Sequence, residues 1–119
     1  MNKALRQRVF AKYDGHCAYC GCALEYDNMQ VDHLKAIGRG VPDEQLMEQR
    51  GTDDFDNLMP SCRMCNFYKA RLDIESFRSK IANTLDYKHT FATNMALKYG
   101  ILTEHVWSGK FYFETINNK

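Results

Sequence analysis

The chain predicts a small α+β fold stapled by a metal ion, and three observations carry that prediction. Cysteines come in two matched Cys-x-x-Cys pairs, Cys17/Cys20 and Cys62/Cys65. Between the pairs lie two short runs of strand character, 29–34 and 57–60, and helical spacing of apolar residues precedes the first pair and follows the second. Each pair sets two thiolates on a tight turn, and four thiolates at roughly 2.3 Å from one ion make the closed tetrahedral geometry of structural zinc. Such a site leaves no open position for chemistry. The metal therefore holds the chain while other residues act, and Asp32, His33, Asn57 and Asn66 are the candidates.

The elements follow in order. Up to about Tyr13, Leu5, Val9 and Phe10 alternate with Lys and Arg as in a short helix, which Asp14-Gly15 ends. Residues 29–34 alternate loosely around Val31 and predict a strand, with Asp27-Asn28 as the turn before it. Gly38-Arg39-Gly40 breaks that pattern. The acidic stretch 41–56 reads as a solvated loop with one helical piece around 43–49. Asn57-Leu58-Met59-Pro60 predicts a second strand, closed by Pro60, and a helix follows over about 63–70. On that helix Asn66 and Lys69 are three apart and share a face, the geometry for addressing one phosphate. Ile74, Phe77, Ile81 and Leu85 recur at core-facing helical spacing, with Asp73 as cap. Phe91, Met95 and Tyr99 mark another short helix ending at Gly100, and 107–110 followed by 111–116 predicts a terminal hairpin strand. Tyr19, Phe67 and Tyr68 read as packing residues.

A chain of 119 residues is one domain, 1–119, able to bury roughly two-thirds of its unfolded surface. Its 45% hydrophobic and 26% charged content excludes disorder. No apolar run approaches the ~18 residues of a spanning helix, and the N-terminus lacks the apolar stretch of a secretory signal, so a cytoplasmic location is expected. Paired spacings without an export signal favour metal over disulfides. The 5 cysteines leave Cys22 over, a small thiol outside the ligand set. The net charge of +1 conceals a segregation: Lys3, Arg6, Arg8 and Lys12 precede any acidic residue, while Asp43, Glu44, Glu48, Asp53, Asp54 and Asp56 crowd one stretch. Such a basic face suits nucleic acid, and Arg6, Lys69 and Arg71 are candidate phosphate contacts.

Imidazole titrates near neutrality and can take a proton from water, which makes His33 a candidate general base. Asp32 offers a hard oxygen and Asn66 a neutral one. Two protein oxygens with waters and phosphate oxygens are what Mg²⁺ prefers, and a hydrolytic phosphodiesterase site follows. Neighbours on a regular strand face opposite ways, so Asp32 and His33 must sit where the strand ends or twists. Asn57, arriving on the adjacent segment, can hold the backbone beside His33, a supporting role.

Cys17-Ala18-Tyr19-Cys20, Val31-Asp32-His33, Asp56-Asn57-Leu58 and Cys62-Arg63-Met64-Cys65-Asn66, in this order, resemble the HNH endonuclease family over about 6–71. The resemblance implies a ββα-metal core, with about 72–119 as a helical extension ending in the predicted strand. It also implies DNA cleavage with Mg²⁺ or Mn²⁺ held by Asp32 and Asn66, base catalysis by His33 and support from Asn57. The family's final His is Asn66 here, a variation found among active members. The acidic insertion between His33 and Asn57 is a second departure and bears on how substrate approaches. Phage, restriction and mobile-element contexts are all common for this domain. A reading from another class is a zinc-knuckle module that binds nucleic acid or protein without cutting, or a phage packaging accessory. A non-cutting module gives no reason for Asp32, His33 and Asn66 to occur together.

Overall fold

The computed structural model describes residues 1–36, 51–85 and 90–116. The break at 38–40 and the helical piece at 43–49 lie outside the described residues. Helix α1 (Lys3–Ala11) begins where Asn2 Oδ1 accepts the Leu5 N–H at 2.7 Å. It is followed by Asp14 and Gly15, both at positive φ (55° and 78°). The chain then folds into a loop closed by the His16–Ala23 bridge and by Cys17 N–H donating to Cys22 O at 2.8 Å. Gly21 turns this loop at φ 81°, and a Cβ there would come 2.7 Å from the Tyr112 ring, so glycine serves both the turn and the close approach.

Strand β1 (Gln30–His33) pairs antiparallel with β2 (Leu58–Ser61), Val31 opposite Pro60 and His33 opposite Leu58. Strand β2 runs through Pro60 instead of closing there. A sheet of two strands has only edges, so the missing proline N–H costs no ladder bond, while its carbonyl accepts the Ala18 N–H at 2.8 Å. Helix α2 (Arg63–Lys69) starts at Cys62, and α3 (Ile74–Ala82) at Asp73, whose Oδ1 accepts the Ser76 N–H at 2.7 Å. Helix α4 (Phe91–Lys98) is capped by Thr90 and followed by Gly100 at φ 75°. This α+β arrangement of a two-stranded hairpin followed by a helix, with four convergent cysteines, is the ββα-metal architecture. Among the described residues no helix is long and apolar enough to cross a membrane.

Two apolar clusters hold these elements. Val9, Met29 and Leu58 lock α1 to the hairpin. Tyr13, Tyr19, Met59, Phe77 and Phe111 form the larger one, where Phe77 and Phe111 stack with centroids 5.1 Å apart and Tyr19 meets both edge-on. Each such buried side chain contributes about 1.5–3 kcal/mol, and edge-to-face aromatic pairs add to it.

The predicted terminal strand is a helix, α5 (Tyr112–Ile116). Alternating aromatics at Phe111 and Phe113 imitate a strand, but the chain's amides have other partners. Tyr112 N–H donates to Tyr19 O at 3.0 Å and Phe113 N–H to Ala18 O at 2.7 Å, while Glu114 reaches back to the Phe111 N–H at 2.9 Å. That last bond is one half of a capping box, which favours a helix start.

Candidate metal centre and hydrolytic site

Cys17 and Cys20 sit on the loop after α1, and Cys62 and Cys65 on the first turn of α2. The four Sγ atoms lie within 4.8 Å of one another, and Cys20 and Cys62 are 3.9 Å apart. Tetrahedral zinc at its usual bond length separates sulfurs by about 3.8 Å, so the donor set and its spacing fit zinc. Crowding divides their protons unevenly. The Cys65 thiol donates to Cys17 and pushes it down to about 4, against burial and with help from backbone N–H groups. The same shared proton, with burial, holds Cys65 far above the usual thiol range. Cys22 stands outside the cluster, its thiol pushed up to about 12 by desolvation and the neighbouring Cys20.

Beside this centre β1 ends in two functional candidates facing opposite ways. Asp32 is buried, and its Oδ2 accepts from Tyr19 Oη at 2.5 Å and pairs with Lys69 Nζ at 3.0 Å. Burial, with the Asp32 carboxylate, keeps the Tyr19 phenol protonated and therefore donating. Among the described residues no hydrogen bond engages Asp32 Oδ1, and since no buried side-chain oxygen is left unsatisfied, that atom meets solvent. His33 is 18% exposed, with Nε2 2.7 Å from Asp53 Oδ1. His33 and Asp53 border a cleft of about 430 Å³ together with Leu5, Val31 and Leu58.

One side chain joins the two. Lys69 Nζ, which bonds the Asp32 carboxylate, also donates to His33 O at 3.0 Å, pinning α2 against the end of β1. Asn66, one helical turn earlier, shares that side of α2, and its side-chain amide makes no hydrogen bond among the described residues. Asn57 controls the exit from β1. Its Oδ1 accepts the Lys35 N–H at 2.8 Å, and its Nδ2 donates to Lys35 O at 2.9 Å and Thr52 O at 2.7 Å.

Several sequence expectations are corrected here. Lys69 is no phosphate contact in this structure: it is fully buried, because its ammonium neutralises a buried carboxylate. Arg6 turns its Nη2 to Tyr26 O and Met29 O at 2.8 and 2.9 Å, with its guanidinium over the Tyr26 ring. Lys12 donates to Phe55 O and Leu58 O at 3.0 and 2.9 Å, so much of the basic N-terminal face ties α1 to the hairpin. Arg71 remains exposed. Phe67 is 85% exposed and packs no core. Sequence reasoning missed Asp53, submerged in a general acidic run, and saw only packing in Tyr19. Its place inside the first cysteine pair was the available signal that it would lie near the centre.

Residues 17–71 match the family model described as HNH endonuclease. Among solved structures the chain is similar to the crystal structure of the Type II-C Cas9 enzyme from Actinomyces naeslundii, at 22% identity and a TM-score of 0.52. The likeness covers 65% of this chain and 8% of that one, and it speaks to the fold. No curated protein matches the chain.

Proposed function

From the match of residues 17–71 to the family model described as HNH endonuclease, we propose that the chain is a metal-dependent endonuclease hydrolysing DNA phosphodiester bonds. What supports the reading most is the Lys69 tether. It holds Asp32 with one oxygen still open to solvent, His33 at the strand end and Asn66 on the pinned helix in one neighbourhood. Asp32 Oδ1 and the Asn66 amide oxygen are hard donors suited to Mg²⁺ or Mn²⁺. Such an ion, when bound, supplies positive charge against the phosphate and the leaving oxygen. His33 takes a proton from water as its oxygen bonds to phosphorus; the P–O bond to the leaving strand breaks, and that oxygen is protonated from solvent. Asn57 holds the chain just beyond His33, a supporting task. Of the three expected phosphate contacts, Arg71 keeps that role in this proposal. The division into a nuclease core of about 6–71 and an extension of about 72–119 belongs to the same reading.

The test is plasmid cleavage by the zinc-loaded protein with Mg²⁺ or Mn²⁺. Replacing His33 with Ala should lower the rate by about 10²–10⁴-fold, the usual share of a positioned base, while nucleic-acid binding survives. Equal cleavage by wild type and variant would remove His33 from the mechanism, and no cleavage by either beside intact binding would favour the zinc module that does not cut.

A further inference from the structure

The contact between His33 and Asp53 has no counterpart in the roles assigned so far. We infer that Asp53 is a positioning residue for His33: its carboxylate accepts the Nε2 proton and so leaves Nδ1 as the basic nitrogen of the ring. The inference rests on the nuclease reading above and adds a residue to it.

Three observations carry it. The Oδ1–Nε2 distance of 2.7 Å is that of a charge-assisted hydrogen bond. An ionised carboxylate only accepts, so the proton belongs to Nε2, and a neutral imidazole with Nε2–H has its lone pair on Nδ1.

Second, the loop is built to deliver Asp53. Asn57 Nδ2 holds Thr52 O, Gly51 N–H donates to Ala36 O at 2.8 Å, and Thr52 Oγ1 bonds the Asp54 carboxylate at 3.0 Å. Any side chain at Gly51 would put its Cβ 1.8 Å from Lys35 O, so the approach of this loop to the β1 exit depends on glycine. Asn57 thereby clamps the segment leaving His33 and the segment bearing Asp53 to each other.

Third, the Asp53 side chain is 82% exposed while that of His33 is 18% exposed. Solvent screens so open a pair, which makes it a poor source of folding stability. What the bond does set is ring orientation and tautomer, at a residue bordering an open cleft.

The experiment compares wild type, Asp53→Ala and Asp53→Asn, all zinc-loaded, by kcat and KM for an oligonucleotide duplex with Mg²⁺. Alongside, ¹⁵N NMR of the imidazole rings reports the tautomer, with the His33 signals identified by their loss in His33→Ala. Asp53→Ala should lower kcat by about 10–100-fold, the usual cost of losing a partner that orients a functional histidine, with KM little changed. The His33 ring should pass from Nε2–H to mixed tautomers. Asp53→Asn keeps an accepting oxygen, so it should restore most of kcat and the Nε2–H signal. A merely structural loop residue would move neither the tautomer nor the kcat–KM split in this way. Unchanged kcat or an unchanged tautomer in Asp53→Ala would overturn the inference, and so would a faster variant, which would mean the carboxylate obstructs the phosphate. Equal rates for wild type and His33→Ala would instead remove His33 as the base, and no cleavage by wild type would bring down the nuclease reading, results the tautomer measurement keeps separate.

Discussion

Lys69→Met tests the structural core of the site. Methionine roughly preserves the volume but removes the ammonium, leaving the Asp32 carboxylate, 8% exposed, with only the Tyr19 hydroxyl, and leaving His33 O without its side-chain donor. Removing one partner of a buried pair costs about 3–5 kcal/mol, because the remaining charge loses its counter-ion and reaches water through one oxygen only. Against a total stability of about 5–15 kcal/mol for a domain of this size, that is a large fraction. Urea unfolding of the zinc-loaded protein, followed by Trp107 fluorescence, measures it. The double variant Lys69→Met/Asp32→Asn should lose clearly less than the sum of the single losses, since it removes both charges together. A Lys69→Met loss under about 1 kcal/mol would refute the burial argument. If that variant kept its stability but bound DNA more weakly with a shallower salt slope, the side chain would be a phosphate contact after all.

Two further outcomes follow from the metal centre and from the C-terminal helix. Native mass spectrometry should find one zinc per chain, lost together with fold stability in Cys62→Ser and retained in Cys22→Ser, because structural zinc binding is itself folding free energy. Glu114 meets the Arg78 guanidinium through two bonds, 2.6 and 2.8 Å, which hold its carboxyl below the usual range. A depressed folded pKa means that this stability is fully present above the ordinary carboxylate range and is lost as pH falls through the folded value. Glu114→Gln should therefore cost about 1 kcal/mol near neutrality in urea unfolding, the upper end for an accessible pair, and that difference should vanish in acid. A difference that persisted at low pH would assign the cost to packing of α5.

What the sequence disclosed and what it hid divide along the range of the interactions. The Cys pairs, the apolar spacing of α1, the Asp73 cap and the spacing that puts Asn66 and Lys69 on one face are local patterns, each fixed by residues within one turn of each other. Apart from the exposed Phe67, what it hid involves partners far along the chain. Lys12 bonds carbonyls more than forty residues away, Arg6 bonds carbonyls across the first cysteine loop, and the strand-like 111–116 coils because the amides of Tyr112 and Phe113 dock on the carbonyls of Tyr19 and Ala18. Charge on a sequence was read as charge on a surface. For a lysine or arginine whose donors meet buried carbonyls or a carboxylate, that equation fails.

The same distinction explains why the residues proposed for the centre of the site stand out in the sequence while their structural supports do not. Asp32, His33, Asn57 and Asn66 stand out because their residue types suit proton transfer and hard-metal binding. Their supports were assigned elsewhere: Lys69 to a phosphate, Tyr19 to the core and Asp53 to solvent. Yet Asp32 keeps a single outward oxygen because Tyr19 and Lys69 engage the other, and the segment carrying Asp53 approaches the β1 exit through bonds from Asn57 and the absence of a side chain at Gly51. Functional residue types are constrained by chemistry, which permits few substitutes. Support requires only a donor, an acceptor or a small residue at the right point in space, and many sequences can supply that.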